Sequence, residues 1–560
     1  MFSPIARRSF STRALFAVLY LLLILGAVTM VVPLMIMLSG STKGVVDSPS
    51  MALVPGFLSD DTTLWRRYLE EKYCFSGNLL RAAWNDSEVL LSAVKLPDPD
   101  PDPANLAVWQ EFINSRSFKS NELGLAFAPA GNQLAALNTR AYRRWLSKKF
   151  HGNLADLNRE LKTQYESKSQ ILPPPQNYTV VPPGDQPVIQ AFEQFTEEQP
   201  ISHRFPLSAA GYYRAVYLPS RYNHEIGRYN QAAGTQYASF ADVPFPSTAP
   251  AQGGGIWLAF VRAALRPDLI ALTEQGEQAF QASGLSARAA YIRDMAGPGD
   301  VSIQCIDQLF ERFSSERGMT PMPIPAAAQD WDEFSSEKTF WRFHFLSQNY
   351  VAVMDEISGH GGALFNTLIL VVLFVVTTLT VNPVAAYALS RYRMKQTYSI
   401  LLFLLATSAF PAEVAQIPSF IQIRSFGLLN TYAAIILPGL ASGMSIFLLK
   451  GFFDSLPREL YEAADIDGAS EWQKFWGITM TLSKPILAVN FLAAFTAGYT
   501  AFFFAIILCP SPHMWTLMVY IYQLMSTSGP GIVYAALVIT ALPQLLIFLL
   551  AQNVIMRGIV

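Results

Sequence analysis

The chain has 560 residues, which is too long for one compact domain, and 51% of them are hydrophobic. Its formal net charge is −2, so the composition gives no indication of a nucleic-acid partner. The six histidines are scattered and form no metal-ligand pattern, and the three cysteines form no disulfide framework. Cys74 and Cys305 pair only if their segment faces an oxidising space, and we favour two free, buried thiols.

The apolar residues are concentrated at the N-terminus and after Gly361, whereas the segment 44–345 has the composition of a soluble protein. The first apolar run, Ala14–Leu38, follows a basic start at Arg7 and Arg8. It is about 25 residues long, which exceeds the core of a secretory signal and is enough to cross a bilayer. We therefore interpret it as a retained membrane anchor.

Five further apolar segments are long enough to cross a bilayer as helices. They are 363–389, 398–421, 432–452, 485–508 and 532–555. With six spans, most lysines and arginines in the short connections fall on one side, which the positive-inside rule assigns to the cytoplasm. The N-terminus and the long loop 454–484 are then cytoplasmic, and 44–345 lies on the outer side.

The loop after the fourth span predicts a short helix. Ser455 is a candidate N-cap with Pro457 in the first turn, and Gly468 suits a left-handed stop. A second capped helix is predicted to begin at Ser470. The first helix, between Ser455 and Gly468, has about three turns.

Small residues on one side of this helix leave room for another protein. Leu460, Ala463, Ala464 and Asp467 have the spacing of one helical face. Asp465 and Asp467 lie at the C-terminal end, where the helix dipole disfavours acidic side chains. We interpret that mismatch as a surface made for a basic partner.

The sequence Glu462-Ala463-Ala464, with Gly468 four residues later and then Ile478, resembles the EAA loop of binding-protein-dependent ABC permeases. Tyr387-Ala-Leu-Ser-Arg391 is also similar to the maltose-type sugar permeases, in particular to the second of their two permease subunits. The resemblance covers the first span and about residues 340–560. One departure is Thr481, which stands where the family usually has proline.

This resemblance implies a type I importer permease rather than an enzyme, in the inner membrane of a bacterium. The ATPase is a separate dimer, since this chain has no phosphate-binding loop of the P-loop type. The implied partners are that dimer, a second permease subunit, an extracytoplasmic solute-binding protein, a sugar and the lipid bilayer, with no cofactor or metal. The residues expected to couple to the ATPase are Glu462, Ala463, Ala464, Asp465, Asp467 and Gly468.

One ionisable residue lies within a predicted span. Glu413 lies between Pro411 and Pro418, with Gln416 one turn away. Such a group lines a translocation path or bonds backbone freed by the prolines, and we favour the second interpretation.

Between the first two spans, an insertion of about 300 residues repeats one pattern: aromatic, Leu, two variable residues, basic, aromatic. The three occurrences are Tyr68–Tyr73, Trp145–Phe150 and Tyr217–Tyr222. Each is followed by an asparagine, a proline turn and an aromatic-x-x-Phe unit, and Trp331 to Phe334 suggests a degenerate fourth copy. A period of about 75 residues is typical of stacked helical units that bury one another's apolar faces.

The role of the insertion has two candidate interpretations. It docks the solute-binding protein or a glycan, or it hydrolyses glycan before import, because the repeat also resembles short helices of β-galactosidase-like hydrolases. We favour docking, since no pair of carboxylates with glycosidase spacing is evident. For the whole chain, import of a non-sugar solute on the same scaffold is the alternative.

Together these observations predict an all-α membrane protein with six transmembrane helices and a mainly helical, repeat-containing domain inserted between the first two. The predicted boundaries are 1–43, 44–345 and 346–560.

Overall fold

We describe the protein from a computed structural model. It describes residues 10–97, 103–126, 136–174, 186–320, 322–359, 362–392, 394–408 and 412–557. The chain forms two compact units, Met1–Val353 with Thr527–Ala535, and Met354–Ser526 with Ala536–Val560.

The first unit begins with one long apolar helix, α1 (Phe10–Gly40). The stretch Phe16–Gly40 has a mean hydropathy of 2.7, and no residue of it before Ser39 is buried within the protein. An apolar helix of this length with no protein cover is suited to contact with lipid. It agrees with the predicted first span.

The rest of the first unit is mainly helical, as predicted. Its helices are α2 (Asp61–Lys72), α3 (Gly77–Trp84), α4 (Pro103–Asn114), α5 (Leu137–Lys149), α6 (Leu154–Leu161), α7 (Pro187–Glu198), α8 (Ala209–Tyr212), α9 (Leu218–Arg221), α10 (Ile226–Ala233), α11 (Gly254–Ala264), α12 (Glu274–Ala282), α13 (Arg288–Asp294), α14 (Ile306–Ser315), α15 (Ala326–Ser336) and α16 (Lys338–Gly359). A π-helical segment, Tyr213–Tyr217, joins α8 to α9.

Short antiparallel pairings and 3-10 turns connect these helices. The strands β1 (Leu123–Gly124) and β2 (Phe205–Pro206) pair with each other, as do β3 (Ile270–Leu272) and β4 (Val301–Ile303). The 3-10 turns of this unit are Gly56–Leu58, Lys168–Gln170, Ile201–His203, Phe240–Asp242 and Pro267–Leu269.

The three sequence units with the aromatic-Leu pattern share one local structure, a helical hairpin. Its turn contains two consecutive residues with positive φ: Cys74 and Phe75, His151 and Gly152, and Asn223 and His224. In each first helix two aromatic rings stack within 17° of parallel: Trp65 on Tyr68, Tyr142 on Trp145, and Tyr213 on Tyr217. The third copy has one extra residue between its rings, and the π-helical segment accommodates it.

The aromatic-x-x-Phe units pack onto these stacked rings. Phe192 and Phe195 of α7 contact the rings of α5 in the same repeat. Phe260 of α11 likewise contacts Tyr213 and Tyr217. Each of these repeats is therefore closed by its own third helix.

The first repeat instead exchanges its third helix with a fourth unit, whose first helix is α14. The α2 rings pack on Phe334 of α15, with Trp65 5.0 Å away between ring centres. Trp109 of α4 packs on Phe310 of α14, also at 5.0 Å. The fourth unit therefore includes α14 as well as the Trp331–Phe334 segment, and the exchange joins the two ends of the repeat array.

The second unit contains the remaining helices, except that residues 527–535, which end one helix and begin the next, belong to the first unit. They are α17 (Gly362–Arg391), α18 (Thr397–Ser408), α19 (Ala412–Ser425), α20 (Tyr432–Ile436), α21 (Gly443–Asp454), α22 (Arg458–Ile466), α23 (Glu471–Gln473), α24 (Lys484–Tyr499), α25 (Phe503–Leu508), α26 (Leu517–Thr527) and α27 (Pro530–Arg557). A π-helical segment, Lys474–Met480, follows α23, and 3-10 turns lie at Leu437–Gly439 and Pro512–Met514. Packing of α17 against α24 is close, because a Cβ on Gly498 would lie 2.9 Å from the Val371 Cα.

Among the described residues, three helices are long and apolar enough to cross a membrane, namely the 16–40, 362–391 and 530–552 segments. The number rises to five if two bent pairs each form one span. The count of six therefore stays a prediction.

Two predicted spans, 432–452 and 485–508, are interrupted in the structure, and a third, 398–421, is described only in part. The 398–421 segment forms α18 and α19, and residues 409–411 between them lie outside the described ranges. The 432–452 segment bends by 52° after the turn that contains Pro438, which lacks a backbone N–H, and Ser442 then caps α21. The 485–508 segment is divided into α24 and α25.

Candidate functional site

The loop between α21 and α24 contains the helix predicted from the sequence, α22, with a left-handed Gly468 behind it at φ 76°. Ser470 caps the next helix, and its side chain and backbone both bond Gln473. The predicted N-cap at Ser455 is wrong, because α22 begins only after Pro457. Ser455 instead ends α21, where its hydroxyl donates to the Phe452 carbonyl. Proline restricts the residue before it to extended backbone, so the chain does not enter the helix at Ser455.

The predicted ATPase-coupling residues lie in the C-terminal half of α22 and in the two residues that follow it. Glu462, Ala463, Asp465, Asp467 and Gly468 are exposed, and Ala464 is half-buried. The side chain of Ile466 beside them is 87% exposed. This surface has no cover within the described part of the second unit.

The sequence suggested that both acidic residues at the C-terminal end of α22 lack a cation, and for Asp465 this expectation is wrong. Asp465 is not an uncompensated acid, because the Lys474 ammonium lies 2.6 Å from its carboxylate. The same ammonium lies 2.5 Å from Glu471. Lys474 is buried, so this ion pair belongs to the protein itself, and only the exposed Asp467 still supports a basic partner.

The inner side of α22 is fixed to the end of α17. The guanidinium of Arg391 stacks on the ring of the buried Tyr461, and an Arg391 N–H donates to the Phe453 carbonyl. The Tyr461 hydroxyl lies 2.7 Å from the Thr479 hydroxyl of the π-helical segment. Helix α22 is therefore held between α17 and the chain that leads into α24.

A second set of contacts joins the same elements. The Tyr387 hydroxyl donates to Glu471 at 2.8 Å, and its ring packs edge-on against Phe475. The Ser390 hydroxyl donates to Asp454 at the end of α21. The 387–391 segment was indicated in the sequence only by its resemblance to permeases, and these contacts were not predicted.

The predicted path residues lie on α19. Gln416 is half-buried, and the side chain of Glu413 lies outside the described part of the structure. Two asparagines join neighbouring segments, since Asn366 donates to the carbonyls of His513 and Trp515 and Asn382 accepts from the Ser442 N–H.

A polar junction follows α1 in the first unit. We use this name for residues 41–52 and the side chains that hold them. The Glu70 carboxylate accepts from the Val45 and Val46 N–H groups, and the Asn349 amide donates to the carbonyls of Ser41 and Lys43. Burial raises the pKa of Glu70 to about 7, although the Arg67 guanidinium acts in the opposite direction.

The same junction includes the start of α27. A Cβ on Gly531 would lie 2.1 Å from the Lys43 carbonyl oxygen, so only glycine fits. The cavity beside Lys43 and Glu70 has a volume of about 20 Å³, which holds a water molecule but no sugar. The three cysteines are buried and unpaired, as expected.

Residues 362–558 match the family of the binding-protein-dependent transport system inner membrane component. Over 248 residues the chain is 32% identical to the sn-glycerol-3-phosphate transport system permease protein UgpE of Yersinia pestis, covering 42% of this chain and 88% of that protein. The chain belongs to this family. It is thus an inner-membrane component of a transport system, in agreement with the resemblance found from the sequence.

This chain is also similar to two further permease proteins. The diacetylchitobiose uptake system permease protein NgcG of Streptomyces coelicolor is 30% identical over 219 residues, covering 38% of this chain and 71% of NgcG. The trehalose/maltose transport system permease protein MalG of Thermococcus litoralis is 34% identical over 218 residues, covering 38% and 78%. A crystal structure of a bacterial ABC transporter that imports alginate is 26% identical, covering 37% of this chain and 78% of that chain, with a TM-score of 0.33.

Proposed function

We propose that this chain is the permease subunit of an ATP-driven importer that takes up a sugar or oligosaccharide delivered by a solute-binding protein. Family membership supports the transport role. Support for a sugar comes from the names of two relatives, which act on diacetylchitobiose and on trehalose and maltose. The second permease subunit and the ATPase dimer are separate chains in this proposal.

Coupling to the ATPase takes place through loop 454–484. The observation that carries this proposal is the two-sided environment of α22. Its outer surface, from Glu462 to Gly468, is exposed, whereas Tyr461 on the inner side is buried against Arg391. The exposed side of α22 binds the ATPase, and its buried side contacts α17. Closure of the ATPase dimer therefore moves α22, and α22 moves α17 with it.

Two substitutions test the docking surface. Glu462→Lys reverses the charge there, and Gly468→Pro replaces a residue at φ 76° by one restricted to negative φ. Both are expected to reduce uptake and the amount of ATPase that co-purifies with the permease. Glu160→Lys, which reverses an exposed acid on α6, is the matched control and is expected to leave both unchanged. Normal uptake and normal ATPase association in both loop variants would refute the docking role.

Membrane orientation follows from the same proposal, with the N-terminus and loop 454–484 in the cytoplasm and 44–345 outside. All three native cysteines are buried, so a Glu462→Cys variant offers one accessible thiol. An impermeant maleimide is expected to label it in inverted vesicles and not in intact cells. Labelling in intact cells would contradict the orientation.

For the insertion we propose docking of the solute-binding protein. The large aromatic residues that resemble sugar platforms are core residues instead, since Trp65, Trp109 and Trp257 are fully buried. That burial favours a protein partner over a glycan. Gln416 and Glu413 on α19 are proposed to line or support the translocation path.

Binding of the solute-binding protein to the permease pair in nanodiscs tests this role. Tight binding with no hydrolysis of oligosaccharides is the expected result. Release of sugar from a chromogenic glycoside by the full-length protein would establish the glycosidase alternative. A binding protein that retains no sugar would establish the alternative of a non-sugar solute.

A further inference from the structure

The second helical segment of loop 454–484 is almost perpendicular to α24, the membrane helix that follows it. Glu471–Met480 and Lys484–Tyr499 are bent by 86° relative to each other. A segment almost perpendicular to a membrane helix lies nearly parallel to the membrane surface. We call Glu471–Met480 the transverse segment.

Contacts with α17 fix the depth of the transverse segment. At 1.5 Å per residue the 30 residues of α17 extend about 45 Å, the thickness of a bilayer with its headgroups. Tyr387 lies one turn before the end of α17, about 6 Å from it, where hydrocarbon meets headgroups. Glu471 and Phe475 contact Tyr387, so the transverse segment lies at that boundary.

The two sides of the transverse segment differ in burial. Lys474, Phe475 and Thr479 are buried against the protein. On the other side Trp472 is 63% exposed and Trp476 is 53% exposed. The two tryptophans are four residues apart, so they form one surface.

We propose that the surface formed by Trp472 and Trp476 lies in the phospholipid headgroup layer and anchors the coupling loop to the membrane. Tryptophan is enriched at this depth because its ring is apolar and its N–H is polar. Glu471 and Lys474 form an ion pair beside this tryptophan surface. Charged side chains are compatible with the headgroup boundary but not with the hydrocarbon core. Lipid is favoured over the ATPase as the occupant, since the exposed docking surface belongs to α22 and not to this segment.

Quenching of tryptophan fluorescence by brominated lipid tests the proposal. The full-length protein is placed in nanodiscs of phosphatidylethanolamine and phosphatidylglycerol with a phosphatidylcholine brominated near the headgroup end of its acyl chains. The Trp472→Phe/Trp476→Phe double variant removes two of the ten tryptophans and keeps aromatic side chains. It is expected to lose a quenched component that the wild type shows. Trp145→Phe, in the insertion, is the control and is expected to retain that component.

A second measurement tests whether lipid or the ATPase covers the surface formed by Trp472 and Trp476. Its result does not depend on the proposed coupling role. The same quenching is measured after addition of the ATPase subunit, and it is expected to persist. Equal quenching in the wild type and the double variant would overturn the proposal. Quenching that disappears when the ATPase binds would assign the surface to the ATPase instead.

Discussion

The guanidinium carbon of Arg391 lies 3.8 Å from the centre of the Tyr461 ring. Arg391 is the last residue of α17, and Tyr461 lies in the middle of α22. The pair therefore connects a membrane helix directly to the proposed ATPase-docking helix. Because Tyr461 also bonds Thr479, the contact continues into the chain that leads to α24.

Removal of the contact between Arg391 and Tyr461 is expected to weaken the coupling of uptake to ATP hydrolysis more than the assembly of the permease with the ATPase. An arginine–aromatic contact that is shielded from water contributes about 1–2 kcal/mol, and 1.4 kcal/mol corresponds to about tenfold in an equilibrium. In Arg391→Ala, solute uptake per ATP hydrolysed should fall by up to about tenfold, as measured in proteoliposomes. Arg391→Lys keeps the charge without the planar group and should be intermediate. Lys395→Ala, at an exposed position, should behave as wild type, and an unchanged ratio in Arg391→Ala would exclude the coupling role.

The polar junction should make the first unit less stable as the pH rises. Glu70 has a pKa raised from 4.5 to about 7, so the folded state holds a proton that the unfolded state releases. Stability is then fully present below about pH 4.5 and is lost as the pH rises through about 7, by on the order of 3 kcal/mol. The titratable groups Lys43, Asp47 and Glu71 surround this carboxyl and contribute to the overall profile, and the Arg67 guanidinium lies beside them. The melting temperature of Glu70→Gln between pH 5 and 8 should fall less than that of the wild type, and parallel profiles would contradict this assignment.

Gly531→Ala should destabilise the same junction. The added methyl group would lie 2.1 Å from the Lys43 carbonyl oxygen and 2.8 Å from the Asn349 amide nitrogen. Backbone must move to relieve such a contact, which costs about 1–3 kcal/mol. Gly227→Ala is the control, since nothing lies within 4 Å of its added group, and thermal unfolding in detergent compares the two. Equal melting temperatures would show that the junction adapts without cost.

The repeat array provides a matched pair of lysines. Lys72 is buried and lies 2.7 Å from Asp330 and 2.6 Å from Glu333, whereas Lys149, at the same position of the second repeat, is exposed and bonds Gln194. Lys72→Met should cost about 3–5 kcal/mol because it leaves two carboxylates without their cation. Lys149→Met should cost less than about 1 kcal/mol. Chemical denaturation followed by tryptophan fluorescence measures both, and similar losses would contradict the role of burial.

Two local features of loop 454–484 could be predicted from the sequence, because they depend on nearby residues. Gly468 and Ser470 act as expected since a left-handed glycine and a capping box are set within a few residues. The pairing of Asp465 with Lys474 was not predicted, because it depends on the turn that brings the two helices together. The assumption that Asp465 lacks a partner was for that reason wrong.

The repeat shows the same limit on a larger scale. The period and the aromatic spacing predicted helical units with buried rings. The rings of the second and third repeats, however, pack on the third helix of their own repeat and not, as was expected, on a neighbouring unit. The exchange of α4 and α15 between the first and last units joins residues more than 200 positions apart, and no local pattern specifies it. In α14 the rings of Phe310 and Phe313 keep the pattern, but Ser314 replaces the leucine after them, so α14 was not predicted as the first helix of the fourth unit.

The two ends of the inserted chain lie side by side. The Ser41 hydroxyl is 2.5 Å from the Tyr350 hydroxyl, and Asn349 bonds the Ser41 carbonyl. A module whose entry and exit are neighbours occupies little more room at its attachment point than a short loop does. Domains whose ends are close together are tolerated as insertions, so the chain between Ser41 and Tyr350 can be accommodated without a change in the helices on either side of it.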